Sequence, residues 1–119
     1  MAKTTIYGIK NCDTMKKAFQ WLDVHKVQYV FNDYKKDEID AMLIKRAIKV
    51  EGWENVLNRR GITWRGLSEK IKNEMNEVMA LKIALENPTI IRRPLLISED
   101  KILLGFNEKE YVSLLHPGV

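Results

Sequence analysis

The sequence predicts an α/β fold in which a βαβ unit is followed by an all-helical insert and a ββα unit. Three observations predict it. The chain begins with β-branched and aromatic residues typical of a strand, and its next apolar residues recur at the spacing of a helix. Its middle part, from about residue 37 to 88, contains helical patterns. Its last part contains two short apolar runs around a turn and then a further helical pattern.

The first unit consists of a strand, a helix and a second strand. A β-branched and aromatic run predicts a strand at about Thr4–Ile9, and Met15, Ala18, Phe19 and Leu22 recur at helical spacing. The helix is expected to run from near Cys12 to about His25. Val27–Phe31 is predicted as the second strand. A helix crosses between the two strands, so they should be parallel.

The insert begins with a helix that Asp37 can cap. Its predicted inward stripe is Ile39, Met42, Leu43, Ala47 and Val50. Gly52 should end this helix, and a short helix should follow around Trp53–Leu57. Residues 58–67 have no clean period and are predicted as an ordered loop. Met75–Leu85 is predicted as a helix that Asn87 and Pro88 close.

The last unit is predicted to be a hairpin followed by a helix. Leu95–Ile97 and Ile102–Leu104 should pair as antiparallel strands around a turn. Asn107 and Glu110 have the spacing of a capping box for a helix that contains Tyr111. By analogy, this order of elements is that of a thioredoxin-like fold with an inserted helical subdomain, a single domain over residues 1–119.

Composition narrows the class of protein. The 119 residues are 45% hydrophobic and 30% charged, which is ordinary for a soluble globular protein. No apolar run has the length of a membrane span, and Met1–Lys3 leads into a strand rather than a signal peptide, so no membrane association is expected. The net charge of +4 is interleaved with acidic residues, which favours a small anionic ligand over nucleic acid. A single cysteine fits a reducing, cytoplasmic compartment.

Cys12 is the residue most indicative of chemistry. It falls where the first strand turns into the first helix, after Lys10 and Asn11. Unpaired N–H groups and the helix dipole favour a thiolate at such a position, and nearby lysines add positive charge. A lone cysteine is more often an inert buried residue, but the strand–turn–helix context favours an activated nucleophile.

Two arginine pairs and one asparagine are further candidates. Arg92 and Arg93 precede Pro94 at the start of an apolar strand, Arg59 and Arg60 lie in the loop of the middle region, and Asn107 follows Gly105 and Phe106. Arginine pairs usually belong to a solvated surface. The position of Arg93 argues against that interpretation, because it opens a strand that must be buried. A proline at a strand start often sets a tight or cis turn.

Four segments, taken in order, resemble one family. They are Ile6–Thr14, Asn58–Arg65, Arg92–Leu96 and Gly105–Phe106. The chain is similar over its length to the arsenate-reductase-related (ArsC/Spx) family, specifically to its YffB-like branch. The resemblance implies a thioredoxin-like core and a nucleophilic cysteine among arginines.

The resemblance assigns roles residue by residue. Cys12 matches the catalytic cysteine, and Arg93 matches the oxyanion-binding arginine before a proline, Pro94, that is expected to be cis. Arg60 matches the arginine of the middle loop, or Arg59 does if the register slips by one. Arsenate reductases have a third arginine after the last strand, where this chain has Asn107. Arsenate is therefore not expected to be the natural substrate.

The resemblance also bears on which thiol would reduce a mixed disulfide formed on Cys12. Family members with two active-site thiols have Cys-x-x-Cys at the helix start, whereas this chain has Met15 at the position of the second cysteine. A mixed disulfide on Cys12 must then be resolved by an outside thiol, and glutathione is expected as co-substrate, with no bound cofactor and no metal.

The predicted function is a glutathione-dependent thiol reductase acting on a small-molecule or protein disulfide. Its predicted glutathione- and substrate-binding residues are Arg60, Arg59, Lys10, Asn11, Pro94 and Asn107. The alternative is an Spx-like, non-catalytic regulator that binds the α subunit of RNA polymerase. Gly52 lies in the region where that contact would be made, whereas the missing Cys-x-x-Cys removes the redox switch.

Overall fold

The structure is a computed structural model that describes residues 4–115; Met1–Lys3 and residues 116–119 lie outside the described residues. None of the helices in the described part is long and apolar enough to cross a membrane. The elements along the chain are β1 (Thr4–Gly8), α1 (Asp13–Val24), β2 (Val30–Asp33), α2 (Ala41–Glu51), α3 (Trp53–Val56), α4 (Ile62–Arg65), α5 (Glu69–Asn73), α6 (Glu77–Glu86), a 3₁₀ turn (Pro88–Ile90), β3 (Leu95–Ser98), β4 (Lys101–Leu104) and α7 (Glu108–Leu115).

The four strands form one mixed sheet in the order β2-β1-β3-β4. β1 pairs with β2 in parallel and with β3 in antiparallel orientation, and β3 and β4 form an antiparallel hairpin. The predicted parallel pair and the predicted hairpin are therefore confirmed, as is the thioredoxin-like α/β fold. β1 is an interior strand, so the loop after it begins at the centre of the sheet.

The described residues divide into two compact units. The sheet unit comprises the described residues up to Asp37 together with those from Arg93 onwards, and the helical unit is Glu38–Arg92. The interpretation of the whole chain as one domain stays a prediction. The core of the sheet unit joins the sheet to α1 and α7 through Ile6, Met15, Ala18, Trp21, Leu22, Leu96 and Tyr111.

The helical unit has its own apolar core. Its buried residues come mainly from α2, α6 and the chain around an isolated antiparallel bridge between Leu57 and Ile91. They include Leu43, Ile44, Ala47, Ile48, Val56, Ala80, Ile83, Ala84 and Ile90.

The second strand was predicted too early. Val27–Phe31 was expected, but β2 begins at Val30. The reason is the end of α1, where Lys26 adopts a left-handed φ of 56° and the N–H of Val27 donates to the carbonyl of Leu22 at 2.9 Å. This Schellman arrangement uses Val27 to cap the helix, so the strand starts three residues later.

The cap of α2 was also predicted wrongly. Asp40, not Asp37, caps the helix, and its side chain accepts hydrogen bonds from the N–H groups of Met42 and Leu43. Asp37 instead accepts a hydrogen bond from the N–H of Asp33 at 2.8 Å. Its carboxylate therefore closes the turn after β2 rather than starting a helix.

The buried face of α2 differs from the predicted stripe. Met42 and Val50, which were predicted to face inward, are 73% and 63% exposed. Ile44 and Ile48 are buried in their place beside Leu43 and Ala47. Of the predicted inward residues within α2, only Leu43 and Ala47 are buried.

Two further features refine the prediction, and two predicted helix ends are confirmed. The ordered loop at residues 58–67 contains one short helix, α4, and α6 starts at Glu77 with Asn76 as its cap rather than at Met75. Asn107 does cap α7, because its side chain accepts a hydrogen bond from the N–H of Glu110 at 3.1 Å. Gly52 ends α2 with a φ of 86°, as predicted.

Gly8, the last residue of β1, allows α1 to pack closely on the sheet. A Cβ at this position would lie 2.5 Å from Sδ of Met15, whose side chain is fully buried. Real Cβ atoms do not approach so closely, so the buried thioether would have to move. The pair fixes α1 against β1 and thereby the position of Cys12 between them.

We expect Gly8→Ala to lower the free energy of unfolding by about 1–3 kcal/mol, because it overpacks a filled core. Denaturant unfolding measures this. Gly66→Ala is the control, since its Cβ would meet its nearest neighbours at 3.5 Å and should cost little. The Gly8 effect should shrink in a Met15→Ala background, and an equal cost in both backgrounds would contradict the contact.

Candidate active site

Cys12 occupies the N-cap position of α1, directly after the loop that leaves β1. Its backbone is extended, with φ −149° and ψ 129°, and its carbonyl accepts the first helical hydrogen bond from the N–H of Lys16 at 2.9 Å. The N–H of Cys12 donates to the carbonyl of Lys10 at 3.1 Å, which closes the turn. The thiol is free and partly exposed, as a reactive cysteine requires.

The surroundings of Cys12 stabilise its thiolate. Burial raises the pKa, but the N–H groups of Met15 and Thr14 and the guanidinium of Arg93 together outweigh burial and hold the pKa of Cys12 below its ordinary value. The two N–H groups face the sulfur without meeting the geometry of a full capping hydrogen bond. Arg93 acts both by a hydrogen bond and by its charge.

Arg93 is positioned by the chain that leads into β3. The Arg93–Pro94 peptide bond is cis, as predicted. Pro94 is buried, and its carbonyl accepts a hydrogen bond from the N–H of Gly105 at 2.8 Å. Gly105 has a φ of 73°, which glycine adopts without a steric penalty. The structure thus brings two predicted site residues, Cys12 and Arg93, together within the sheet unit.

Tyr34 is a neighbour of the site that sequence reasoning missed. Its ring stacks on that of Tyr7 with centroids 6.5 Å apart, and its N–H donates to the carbonyl of Gly8 at 2.8 Å. Burial raises the pKa of Tyr34, Tyr7 raises it further, and the charge of Arg93 lowers it in part. The only sequence signal was the place of Tyr34, at the carboxyl end of the strand parallel to β1.

The remaining candidate site residues of the sheet unit lie in the turn before Cys12 and at the start of α7. Lys10 and Asn11 are exposed in the turn before Cys12. The side-chain oxygen of Asn107 accepts a hydrogen bond from the N–H of Glu110 and so caps α7. Binding of glutathione by these residues stays a prediction.

Arg59 and Arg60 belong to the helical unit. Both are exposed and line one cavity of about 330 Å³, together with Arg92. The guanidinium of Arg59 lies 6.0 Å from the ring centroid of Trp53, within cation–π range. The choice between Arg59 and Arg60 as the site arginine therefore stays open. Arg92, to which the sequence analysis assigned no role, lines the same cavity.

The sheet unit can perform nucleophilic sulfur chemistry. A thiolate at a helix N-terminus beside an arginine can attack a disulfide sulfur. Cys12 is the sole cysteine of the sequence, so a second sulfur of the same chain cannot resolve the product. Within residues 4–115 no cluster of histidine, cysteine and carboxylate residues could hold a metal ion.

We expect the alkylation rate of Cys12 by iodoacetamide to rise with pH around an inflection below the ordinary thiol value of about 8.5. Only the thiolate reacts, so a lowered pKa moves the inflection down. Arg93→Ala removes one of the causes and should raise the inflection and slow alkylation at neutral pH several-fold.

Lys109→Ala is the matched control for this experiment. It removes one exposed positive charge from the sheet unit and should leave the profile unchanged. An inflection at or above the ordinary value in the wild-type protein would show that the thiolate is not activated.

Comparison with known proteins identifies relatives over most of the chain. The model of the ArsC family matches residues 7–114. A solved structure of a YffB protein is 45% identical, with a TM-score of 0.90, over 94% of this chain and 98% of the other. A solved arsenate reductase (ArsC) related protein from Brucella melitensis is 42% identical, with a TM-score of 0.76, over 97% and 95% of the two chains.

A transcription regulator is also among the relatives. The global transcriptional regulator Spx 2 of Bacillus cereus is 28% identical over 108 residues, which are 88% of this chain and 81% of that protein. The family model, the four-stranded sheet and the cysteine at the start of α1 all indicate the same family.

The chain belongs to the ArsC family, the arsenate-reductase-related proteins.

Proposed function

We propose that the protein is a glutathione-dependent thiol reductase that uses Cys12 as its single nucleophile. One observation carries the proposal: the activated thiol of Cys12 beside Arg93 occurs in a chain that has no second cysteine. Such a site can form a mixed disulfide but cannot resolve it alone. The reducing equivalents must then come from a thiol in solution, and glutathione is the abundant candidate in a reducing, cytoplasmic compartment.

The proposed reaction has two displacement steps. The thiolate of Cys12 attacks the glutathione sulfur of a glutathionylated substrate, forming a Cys12–glutathione disulfide and releasing the substrate sulfur as a thiolate, which takes up a proton. A second glutathione, as its thiolate, then attacks the sulfur of the bound glutathione. Oxidised glutathione leaves and the Cys12 thiolate is restored, so two glutathione-derived electrons reduce one disulfide.

Arg93 has two functions in this scheme. It holds Cys12 as a thiolate before attack, and the same guanidinium makes Cys12 a good leaving group in the second step, because a low thiol pKa favours departure. For binding, we assign the two carboxylates of glutathione to cationic and polar side chains. Within the sheet unit these are Lys10, Asn11 and Asn107, with Pro94 as an apolar contact, while Arg59 and Arg60 of the helical unit stay the candidates that the resemblance supplies.

Arsenate is proposed to be a poor substrate. A dianionic oxyanion needs several cations, and the third arginine of arsenate reductases is replaced by Asn107, whose side chain caps α7. Losing one charged hydrogen-bond partner costs about 1.5–3 kcal/mol, or one to two powers of ten in affinity.

The second candidate function is that of a regulator without catalytic activity. The similarity to the global transcriptional regulator Spx 2 over 88% of this chain favours it. In this alternative, the protein would act by binding the α subunit of RNA polymerase. The lowered pKa of Cys12 favours the reductase instead, since a docking module has no need of an activated thiolate.

The reductase proposal is tested by steady-state turnover. With glutathione, a small hydroxyalkyl disulfide and glutathione reductase, we expect the wild-type protein to accelerate NADPH oxidation, because the mixed disulfide is recycled by glutathione. Cys12→Ser should reduce the rate to that of the uncatalysed reaction. With arsenate in place of the disulfide, the wild-type rate should fall by at least about tenfold.

Two outcomes would contradict the proposal. Equal rates for wild type and Cys12→Ser would exclude Cys12 catalysis, and specific capture of the RNA polymerase α subunit would then favour the regulator. Arsenate turnover as fast as disulfide turnover would show that the third arginine is dispensable.

A further inference from the structure

A groove of the sheet unit leaves apolar surface uncovered beside α1. It is a cavity of about 290 Å³, lined by the later turns of α1 and by the segment that joins β4 to α7. Val24 is 67% exposed there, and it shares the lining with the aromatic side chains of Trp21 and Phe106. The lining residues of this cavity, which we call the α1 groove, are Lys17, Gln20, Trp21, Val24, His25, Phe106 and Glu108.

The aromatic wall of the α1 groove is anchored in the core. Trp21 is only 6% exposed, and its ring meets that of the fully buried Tyr111 edge-on, with centroids 5.4 Å apart. Phe106 meets Tyr111 in the same manner at 4.9 Å, and His25 stacks on Trp21 at 4.2 Å. Because these rings already hold one another in place, a ligand can bind to them without first ordering the wall.

The polar groups of the α1 groove match an uncharged peptide segment. Lys17 and Glu108 contribute one charge of each sign, so the lining has no net charge when His25 is neutral. The indole N–H of Trp21 is a buried donor without a hydrogen-bond partner in the described part of the chain, and a peptide carbonyl can supply the acceptor.

His25 adds an acceptor to this donor. Its Nδ1 donates to the carbonyl of Trp21 at 2.8 Å, because a carbonyl oxygen can only accept. The proton of the neutral ring is therefore on Nδ1, and Nε2 is an acceptor. One donor and one acceptor beside aromatic rings are what a peptide group with a neighbouring apolar side chain requires, whereas a plain hydrocarbon would use neither.

The α1 groove is connected to the surroundings of Cys12 on both of its sides. Phe106 directly follows Gly105, whose N–H donates to the carbonyl of Pro94 at 2.8 Å. Along α1, Trp21 lies nine residues after Cys12, which corresponds to about 14 Å of helix axis. An extended peptide advances about 3.3 Å per residue, so about four residues cover that distance.

We propose that the α1 groove binds an extended segment of a protein substrate and holds one apolar or aromatic side chain about four residues from the glutathionylated cysteine. This inference rests on the proposed function and names its substrate class as proteins rather than small disulfides. The chemistry is unchanged: the sulfur of Cys12 bonds to the glutathione sulfur, the substrate disulfide breaks, and the substrate cysteine leaves as a thiolate that takes up a proton.

The experiment compares the reduction of three short glutathionylated peptides. Two of them carry phenylalanine about four residues before or after the cysteine, and the third carries alanine at both places. We expect kcat/KM of one phenylalanine peptide to exceed that of the alanine peptide about tenfold, because burial of one aromatic side chain contributes that much. The two positions of phenylalanine determine the direction in which the substrate lies.

Val24→Lys tests the α1 groove itself. It replaces an exposed apolar side chain with a charged one, so it should remove most of the advantage of the phenylalanine peptide and leave the alanine peptide unaffected. Val112→Lys is the matched control, since Val112 is an exposed valine of α7 outside the lining. It should preserve the advantage. An equal loss in the two variants would overturn the proposal.

Binding without chemistry is measured on the Cys12→Ser protein by NMR. We expect the preferred phenylalanine peptide to shift the indole N–H resonance of Trp21, while those of Trp53 and Trp64 in the helical unit stay unchanged. Equal reduction of all three peptides without a Trp21 shift would overturn the docking surface and leave the proposed function intact. A Trp21 shift without reduction of any peptide would support the docking surface and overturn the reductase. A Trp21 shift caused by protein concentration alone would indicate an interface between copies of this chain and overturn the proposal.

Discussion

The stabilisation of one negative charge at the start of α1 is the interaction on which the site depends. β1 is an interior strand of the sheet, and the chain leaves it to place Cys12 at the N-cap of α1. Helix N–H groups and Arg93 then hold the thiolate against the cost of burial. Gly8 and Met15 matter because their close packing fixes the helix to the strand from which Cys12 emerges.

The absence of a second cysteine decides what this thiolate can do. Met15 occupies the place of a resolving cysteine, and its side chain is fully buried against Gly8. The position that is chemically active in dithiol relatives is therefore used here for packing. A mixed disulfide on Cys12 must wait for an external thiol, which makes the supply of glutathione part of the proposed mechanism.

Sequence patterns predicted the elements of the fold better than their ends. The parallel strands, the hairpin and the cap by Asn107 follow from local signals that the structure confirms. The errors at Val27 and Asp37 both occur at turns that use a group expected to belong to the next element: the N–H of Val27 closes the end of α1, and the carboxylate of Asp37 closes the turn after β2. Periodicity does not contain that information.

The site could be predicted where the chain itself brings residues together, as at the N-terminus of α1, and by resemblance for Arg93. Tyr34 and Arg92 were missed because their neighbours depend on tertiary pairing.

The most direct test of the central claim is mass spectrometry after incubation with oxidised glutathione. We predict one glutathione per chain, attached at Cys12, which persists until a thiol is added and forms more slowly in Arg93→Ala. No adduct on the wild-type protein, or equal rates in the two proteins, would contradict it.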